Sequence, residues 1–196
     1  MKNIWRERYQ ETDIKPPETS VLTGFNANID VKYSVSDLDI EIEEYNPENL
    51  DSINGKEDFL SLLSYCIENG KNKEINYSRD DIAPKGGKEE IGGQAGIMAN
   101  FLASNNAETV FYTPFLSERL AENLDNRINY PIYTDSELKY EEPIDAVNTD
   151  RTKVNQIFEF DGEKTGRLIL SDKLRGFGPY FRKGVENHIA EIDKTL

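Results

Sequence analysis

The chain is poor in the residues that most often carry chemistry or staple a fold. Among its 196 residues there is one cysteine, one histidine and one tryptophan. A lone thiol, Cys66, excludes an internal disulfide and fits a reducing cytosol. With His188 as the only imidazole, histidine-based triads and His-rich metal centres have no material. Long apolar runs are missing as well. The longest are single strands or one helix face, well short of the roughly 20 residues a spanning helix needs. Met1–Gln10 is polar and carries Lys2, Arg6 and Arg8, so no secretory leader is expected there. Positive charge is scarce: 23 Lys and Arg face 37 Asp and Glu, for a formal net charge of −14. That balance disfavours a nucleic-acid backbone and an anionic membrane surface, both of which reward basic patches. The expectation is a soluble cytoplasmic protein.

What is present is acidic and lean in core residues. The apolar fraction is 37%, below the usual 45–50% or so. Two readings fit: an ordinary acidic protein, or one kept hydrated in a salt-rich cytoplasm where carboxylate repulsion is screened.

Residues 1–19 are polar with Pro16-Pro17 and read as an arm, and Ser20–Phe25 reads as a strand ending in the polar run Asn26–Asp30. Residues 36–57 are acidic and weakly patterned. Phe59, Leu62, Leu63, Cys66 and Ile67 recur at helical spacing over 58–69 and stop at Gly70, a helix with a glycine end and Cys66 in its core face. Residues 71–91 read as charged loop, followed by a helix over Gly93–Ser104 packed by Ile97, Phe101 and Leu102. A strand over Thr109–Thr113 and a short helix over Ser117–Leu124, capped by Ser117, come next. Strands are expected over Tyr130–Thr134, Val154–Phe160 and Arg167–Ser171, the last two joined as a hairpin at Asp161-Gly162. Phe181–Leu196 reads as an amphipathic terminal helix with His188 facing solvent. Acidic clusters such as Glu41–Glu44 and Glu141-Glu142 read as solvated faces. The mixture suggests α/β architecture with a β-rich insert.

Two segments could carry chemistry. Gly24-Phe25-Asn26-Ala27-Asn28-Ile29-Asp30 ends a strand, where ligands collect in α/β sheets. Its amides and carboxylate suit neutral hydroxyls, because a carboxylate accepts hydrogen bonds and an amide both donates and accepts. A plain polar turn has the same composition. Gly92-Gly93-Gln94-Ala95-Gly96 leads into a helix, so backbone N–H groups could approach a ligand at its positive end. It lacks the Gly-Lys-Ser/Thr of a P-loop and the full Gly-x-Gly-x-x-Gly fingerprint. A tight turn with close helix packing would look alike.

In order and spacing, GFNANID, GGQAGIMAN, YTPFL (112–116), KVNQIFEF (153–160) and GRLILS (166–171) resemble the amino-terminal part of the archaeal-type ADP-dependent sugar kinases. These are the ADP-dependent glucokinases and phosphofructokinases of the ribokinase-like superfamily. The resemblance runs from about residue 20 to the end. It implies a ribokinase-like α/β fold, with a partial Rossmann-type large domain over 20–30 and 58–125. A β-rich lid domain would cover 31–57 and 128–178, and 179–196 would return as a helix to the large domain.

It also implies roles. Asp30, with Asn26 and Asn28, would hold sugar hydroxyls, and Gly93, Gln94 and Gly96 would close the other side of the pocket. Lys153, Asn155 and Glu159 would lie on a lid strand over the sugar. Lys153 and Arg167 match the basic clamp that phosphofructokinases place on a 6-phosphate, and Lys173 stands where an arginine is often found. A further basic position of that clamp falls near Gly178-Pro179 and is missing. Glu74 falls where glucokinase-type members carry a glucose-binding glutamate, whereas KVNQIFEF resembles the phosphofructokinase form. The implied reaction phosphorylates glucose, fructose 6-phosphate or both, with ADP as donor, Mg²⁺ as cofactor and AMP as product. The family's chains are more than twice as long. Their metal carboxylates, nucleotide pocket and Gly-x-Gly-Asp loop with the catalytic base lie in the carboxyl half. The expectation is therefore a sugar-binding and lid portion, inactive alone. A non-catalytic sugar-binding or assembly subunit that needs a second chain carrying the carboxyl half, and a decayed fragment, are the alternatives.

Overall fold

The computed structural model describes residues 20–38, 51–77, 82, 84, 86–172 and 178–188. The polar arm, the acidic stretch 39–50, Lys173 and residues 189–196 lie outside the described residues.

Strand β1 (Val21–Gly24) pairs in parallel with β5 (Thr109–Tyr112), register Val21 opposite Thr109. β5 is buried along its whole length, as an apolar run in a parallel sheet requires. A bridge from Val110 to Asn129 brings in the next segment, the hairpin of β6 (Tyr130–Thr134) and β7 (Glu137–Glu141). Helix α2 (Gln94–Ser104) packs on β1 and β5, and α3 (Glu118–Ala121) is capped by Ser117 Oγ accepting from the Leu120 N–H. The α3 cap and the helix ending at Gly70 follow the expectation.

The second body is a five-stranded sheet in the order β3 (Lys73–Asn76), β9 (Thr165–Ser171), β8 (Val154–Asp161), β2 (Asn28–Ser34), β4 (Lys88–Gly92). β8 and β9 form the expected hairpin, Asp161 facing Thr165. β2, β3 and β4 correct the reading of 26–30 as a polar turn and of 71–91 as charged loop. Their alternation is hidden because one face of the sheet is mostly polar, so charges sit inside strands. Helix α1 (Lys56–Asn69) covers the other face. It buries Phe59, Leu62, Leu63 and Cys66, with the Phe59 ring 4.7 Å from that of Phe158 and Tyr33 stacked on Phe158 at 4.9 Å. Each such side chain contributes about 1.5–3 kcal/mol on burial. Gly70 ends α1 at φ 59°, its N–H returning to the Cys66 and Ile67 carbonyls.

Sheet membership differs from the expected division of the chain. α1, β3 and β4 join the five-stranded sheet although 58–125 was expected with β1. The β6–β7 hairpin packs beside β5 although 128–178 was expected in the lid. Pairing partners distant in sequence decide this, and hydropathy does not encode them.

Two further expectations are corrected. Ile97, Met98 and Phe101 of α2 are 52%, 49% and 49% exposed, and its buried face is Ala95, Gly96, Ala99 and Ala103. Small residues let the helix axis come close to β1, and both helix faces being apolar conceals which one turns inward. His188 is half-buried, its ring stacked on Tyr133 at 4.9 Å, and the described part of the last segment is a 3-10 turn over Val185–His188.

Candidate functional site

β2 leaves the end of β1 after three residues, so the polar run expected to be a turn becomes the start of a central strand. Side chains alternate along a strand. Ile29, Val31 and Tyr33 therefore turn to the α1 side, and Asn28, Asp30 and Lys32 to the open side. Register places Gly92 and Glu90 of β4 beside Asn28 and Asp30, and Asn155 of β8 on the other flank of Asp30.

Two amides converge on one carboxylate oxygen. Asn28 Nδ2 donates to Asp30 Oδ1 at 2.5 Å, and Asn155 Nδ2 donates to the same atom at 3.0 Å. With both amides on Oδ1, Oδ2 keeps acceptor capacity for a ligand hydroxyl. Glu90 is neutralised separately. It pairs with Lys32 Nζ, and Lys88 Nζ lies 3.9 Å from its second oxygen. The hydrogen bond that Lys32 donates to Glu90 holds its ammonium above the usual lysine range.

Gly92 and Gly93 have steric reasons to be glycine. A Cβ on Gly92 would lie 2.4 Å from Asn28 Nδ2 and 2.5 Å from Asp30 Cγ. Gly93 sits at φ 78°, where a Cβ would lie 2.5 Å from the Asn26 carbonyl oxygen. That carbonyl accepts from the Ala95 and Gly96 N–H groups at 3.1 and 3.4 Å. These two amides at the start of α2 are thus committed to the chain, and they lock the two glycine-bearing segments together. Gln94 is exposed at the first helical position.

A cavity of about 400 Å³ opens beside them, lined by Gly24, Asn26, Thr113, Pro114, Lys153 and Gly178 among others. It lies between the β1–β2 connection, the end of β5 and the approach to β8. The chain carries a net charge of −14, yet a cation stands on the wall of this cavity. Lys153 lines the wall, and the guanidinium carbons of Arg151 and Arg182 sit 5.7 and 5.6 Å from the Phe115 ring centre. Stacking on an aromatic face fixes the plane of a guanidinium. Arg182 also donates its backbone N–H to Tyr112 Oη at 2.8 Å. Neither arginine is legible from spacing, since Phe115 and Arg182 meet only in the fold.

Other expected residues are not brought to this point. Arg167 faces Glu159 across the hairpin, and its N–H donates to Asn72 Oδ1. Lys153 and Arg167 therefore stand at opposite ends of β8, about 20 Å apart at roughly 3.4 Å per residue. The expected two-residue clamp is not assembled. Glu74 lies on β3, three strands from Asp30 and so about 14 Å away, with Ser171 Oγ donating to its carboxylate. Among the described residues no group of three or more His, Cys, Asp or Glu is arranged to hold a metal ion; the Mg²⁺ carboxylates are expected in the family's carboxyl half.

Comparison with known proteins follows the same lines. The ADP-specific phosphofructokinase/glucokinase conserved region matches residues 19–172. An ADP-specific phosphofructokinase of Pyrococcus horikoshii is 31% identical over 92% of this chain and 47% of its own length. An ADP-dependent glucose/glucosamine kinase of Pyrococcus furiosus is 32% identical over 98% of this chain and 49% of its own. A solved ADP-dependent kinase in complex with fructose 6-phosphate and ADPβS superposes with a TM-score of 0.72 and 25% identity, covering 99% of this chain and 45% of that one. The chain spans about half the length of the relatives it matches.

Proposed function

We propose, from the premise that this chain belongs to the ADP-specific phosphofructokinase/glucokinase family, that it supplies the sugar-binding and lid part of an ADP-dependent hexose or hexose-phosphate kinase. The observation that carries the reading is Asp30, gripped by Asn28 and Asn155 and placed within one glycine's width of Gly92. A carboxylate held from one side accepts hydroxyls from the other. The reaction served would move the β-phosphoryl of ADP to a sugar hydroxyl, releasing AMP and a proton. Phosphoryl transfer depends on positioning and charge neutralisation, and this chain's share is positioning. The described residues hold no metal-binding carboxylate cluster, so no step is routed through Mg²⁺ here.

The polar face of the five-stranded sheet serves as the lid over the sugar. Asn26 lines the pocket, and Gly93, Gln94 and Gly96 stand behind it at the start of α2, tied to the Asn26 carbonyl. Lys153, on the wall of the 400 Å³ cavity, is the group there that suits an anion. That favours a phosphorylated hexose over glucose, since a neutral sugar gains little from a cation. Arg167 and Glu74, remote from Asp30, act at the lid's rim. A subunit working with a second chain is the rival reading. The exposed Ile97, Met98 and Phe101 on α2 favour it, because a helix apolar on both faces suits a covered position.

Calorimetric titration of the chain with fructose 6-phosphate and glucose, beside an AMP-release assay with ADP, tests the proposal. Fructose 6-phosphate should bind more tightly than glucose. Asp30→Ala should weaken both at least tenfold, and Lys153→Ala only the phosphorylated sugar. Absence of binding by either sugar to folded chain overturns the reading. AMP release by the chain alone overturns its restriction to the positioning role.

A further inference from the structure

A second cavity, about 760 Å³, lies on the opposite face of the five-stranded sheet from Asp30. Its floor is the end of the β8–β9 hairpin, where Gln156, Leu170 and Asp172 turn away from Asn155 and Asp30 by strand alternation. Its far wall is α3 with the loop that follows the 3-10 turn Pro143–Ala146. The volume falls in the range of small-molecule sites, roughly 300–1,000 Å³.

The polar groups on the floor are buried and unspent. Gln156 is 8% exposed and its Oε1 has no hydrogen-bond partner, and Asp172 Oδ1 is likewise buried without one. A buried polar atom left unmade costs about 1–3 kcal/mol, so such atoms mark a place where a partner belongs. The other candidates are already committed. Ser117 Oγ accepts from the Leu120 N–H and bonds Thr152 Oγ1 at 2.6 Å, while Arg119 grips Glu89 at 3.0 and 2.6 Å. What remains is acceptor-rich: Asp172 at the sheet end, and the carboxylates of Glu118 and Asp150 on the far wall. Between them the lining is apolar, with Val147, Val154 and Leu170.

We propose that this cavity binds a small aliphatic diamine or oligoamine. One ammonium donates to Asp172 and Gln156, the methylene chain lies against Val154 and Leu170, and the second ammonium meets Asp150 and Glu118. Two separated carboxylate ends joined by an apolar strip suit a two-ended cation better than a sugar, which carries hydroxyls along its whole length, or an anion, which the three carboxylates repel.

The experiment is calorimetry on the full chain with 1,4-diaminobutane and spermidine, using 1,4-butanediol as the neutral isostere. A single site is expected for the amines and none for the diol. Asp172→Asn and Gln156→Leu should each weaken amine binding at least tenfold. Asp150→Asn, at an exposed loop position, provides a variant that keeps the fold if a floor substitution does not. Equal binding of the diol overturns the proposal, as does no binding. Amine affinity unchanged in all three variants also overturns it, since that is diffuse attraction to an acidic chain. The titration needs neither sugar nor ADP, so its failure is separable from failure of the sugar-site reading.

Discussion

Gly93 carries two demands at once. Its φ of 78° lies where side chains are strained, and the Asn26 carbonyl occupies the space a Cβ would need. Gly93→Ala is expected to lower stability by about 1–3 kcal/mol, read as a fall in urea midpoint with an unchanged slope. The loss should exceed that of Gly55→Ala, where a Cβ meets nothing within 4 Å. Gly93, Asn28 and Asp30 were legible because a glycine pair and a polar run at a strand end are local signals. The roles of Asn155 and Arg182 had no local signal. Asn155 becomes a partner of Asp30 only through the β2–β8 pairing, 125 residues apart. The same pairing geometry sends Arg167 away from Lys153, since antiparallel register fixes it opposite Glu159.

At the scale of elements, the polar face of the five-stranded sheet depends on α1 for its support. Phe59 is 3% exposed and meets Phe158 at 4.7 Å. Phe59→Ala should cost about 3–5 kcal/mol, and Phe59→Leu distinctly less, in chemical denaturation. Cys66, fully buried on the same helix, has its thiol pushed up by burial, so it should resist alkylation until α1 detaches. α1 was readable from the 3.6-residue period and the Gly70 stop. β3 and β4 were not, because strands with one wet face carry Lys and Glu in positions that read as loop. α2 was readable as a helix but not in its orientation.

For the molecule as a whole, a net charge of −14 imposes self-repulsion that salt screens. We expect the thermal midpoint to rise between low and molar KCl, measured by calorimetry at fixed protein concentration. A midpoint insensitive to KCl would mark the acidity as ordinary surface solubility. Lys153 on the cavity wall, and Arg151 and Arg182 on the Phe115 ring, locally offset that field.

Composition, charge and motif order determined by themselves the chemical class of the chain, its family and the polar strand end that holds Asp30. These depend on residue identity and local spacing, which a linear string preserves. Tertiary structure alone decided which strands share a sheet, which face of α2 turns inward, that the arginines gather on Phe115 while Arg167 stands apart, and that a second cavity lies behind the sheet. Each of these follows from hydrogen-bond register and side-chain alternation between segments far apart in the chain, and a single residue of register would turn every one of those side chains to the other face.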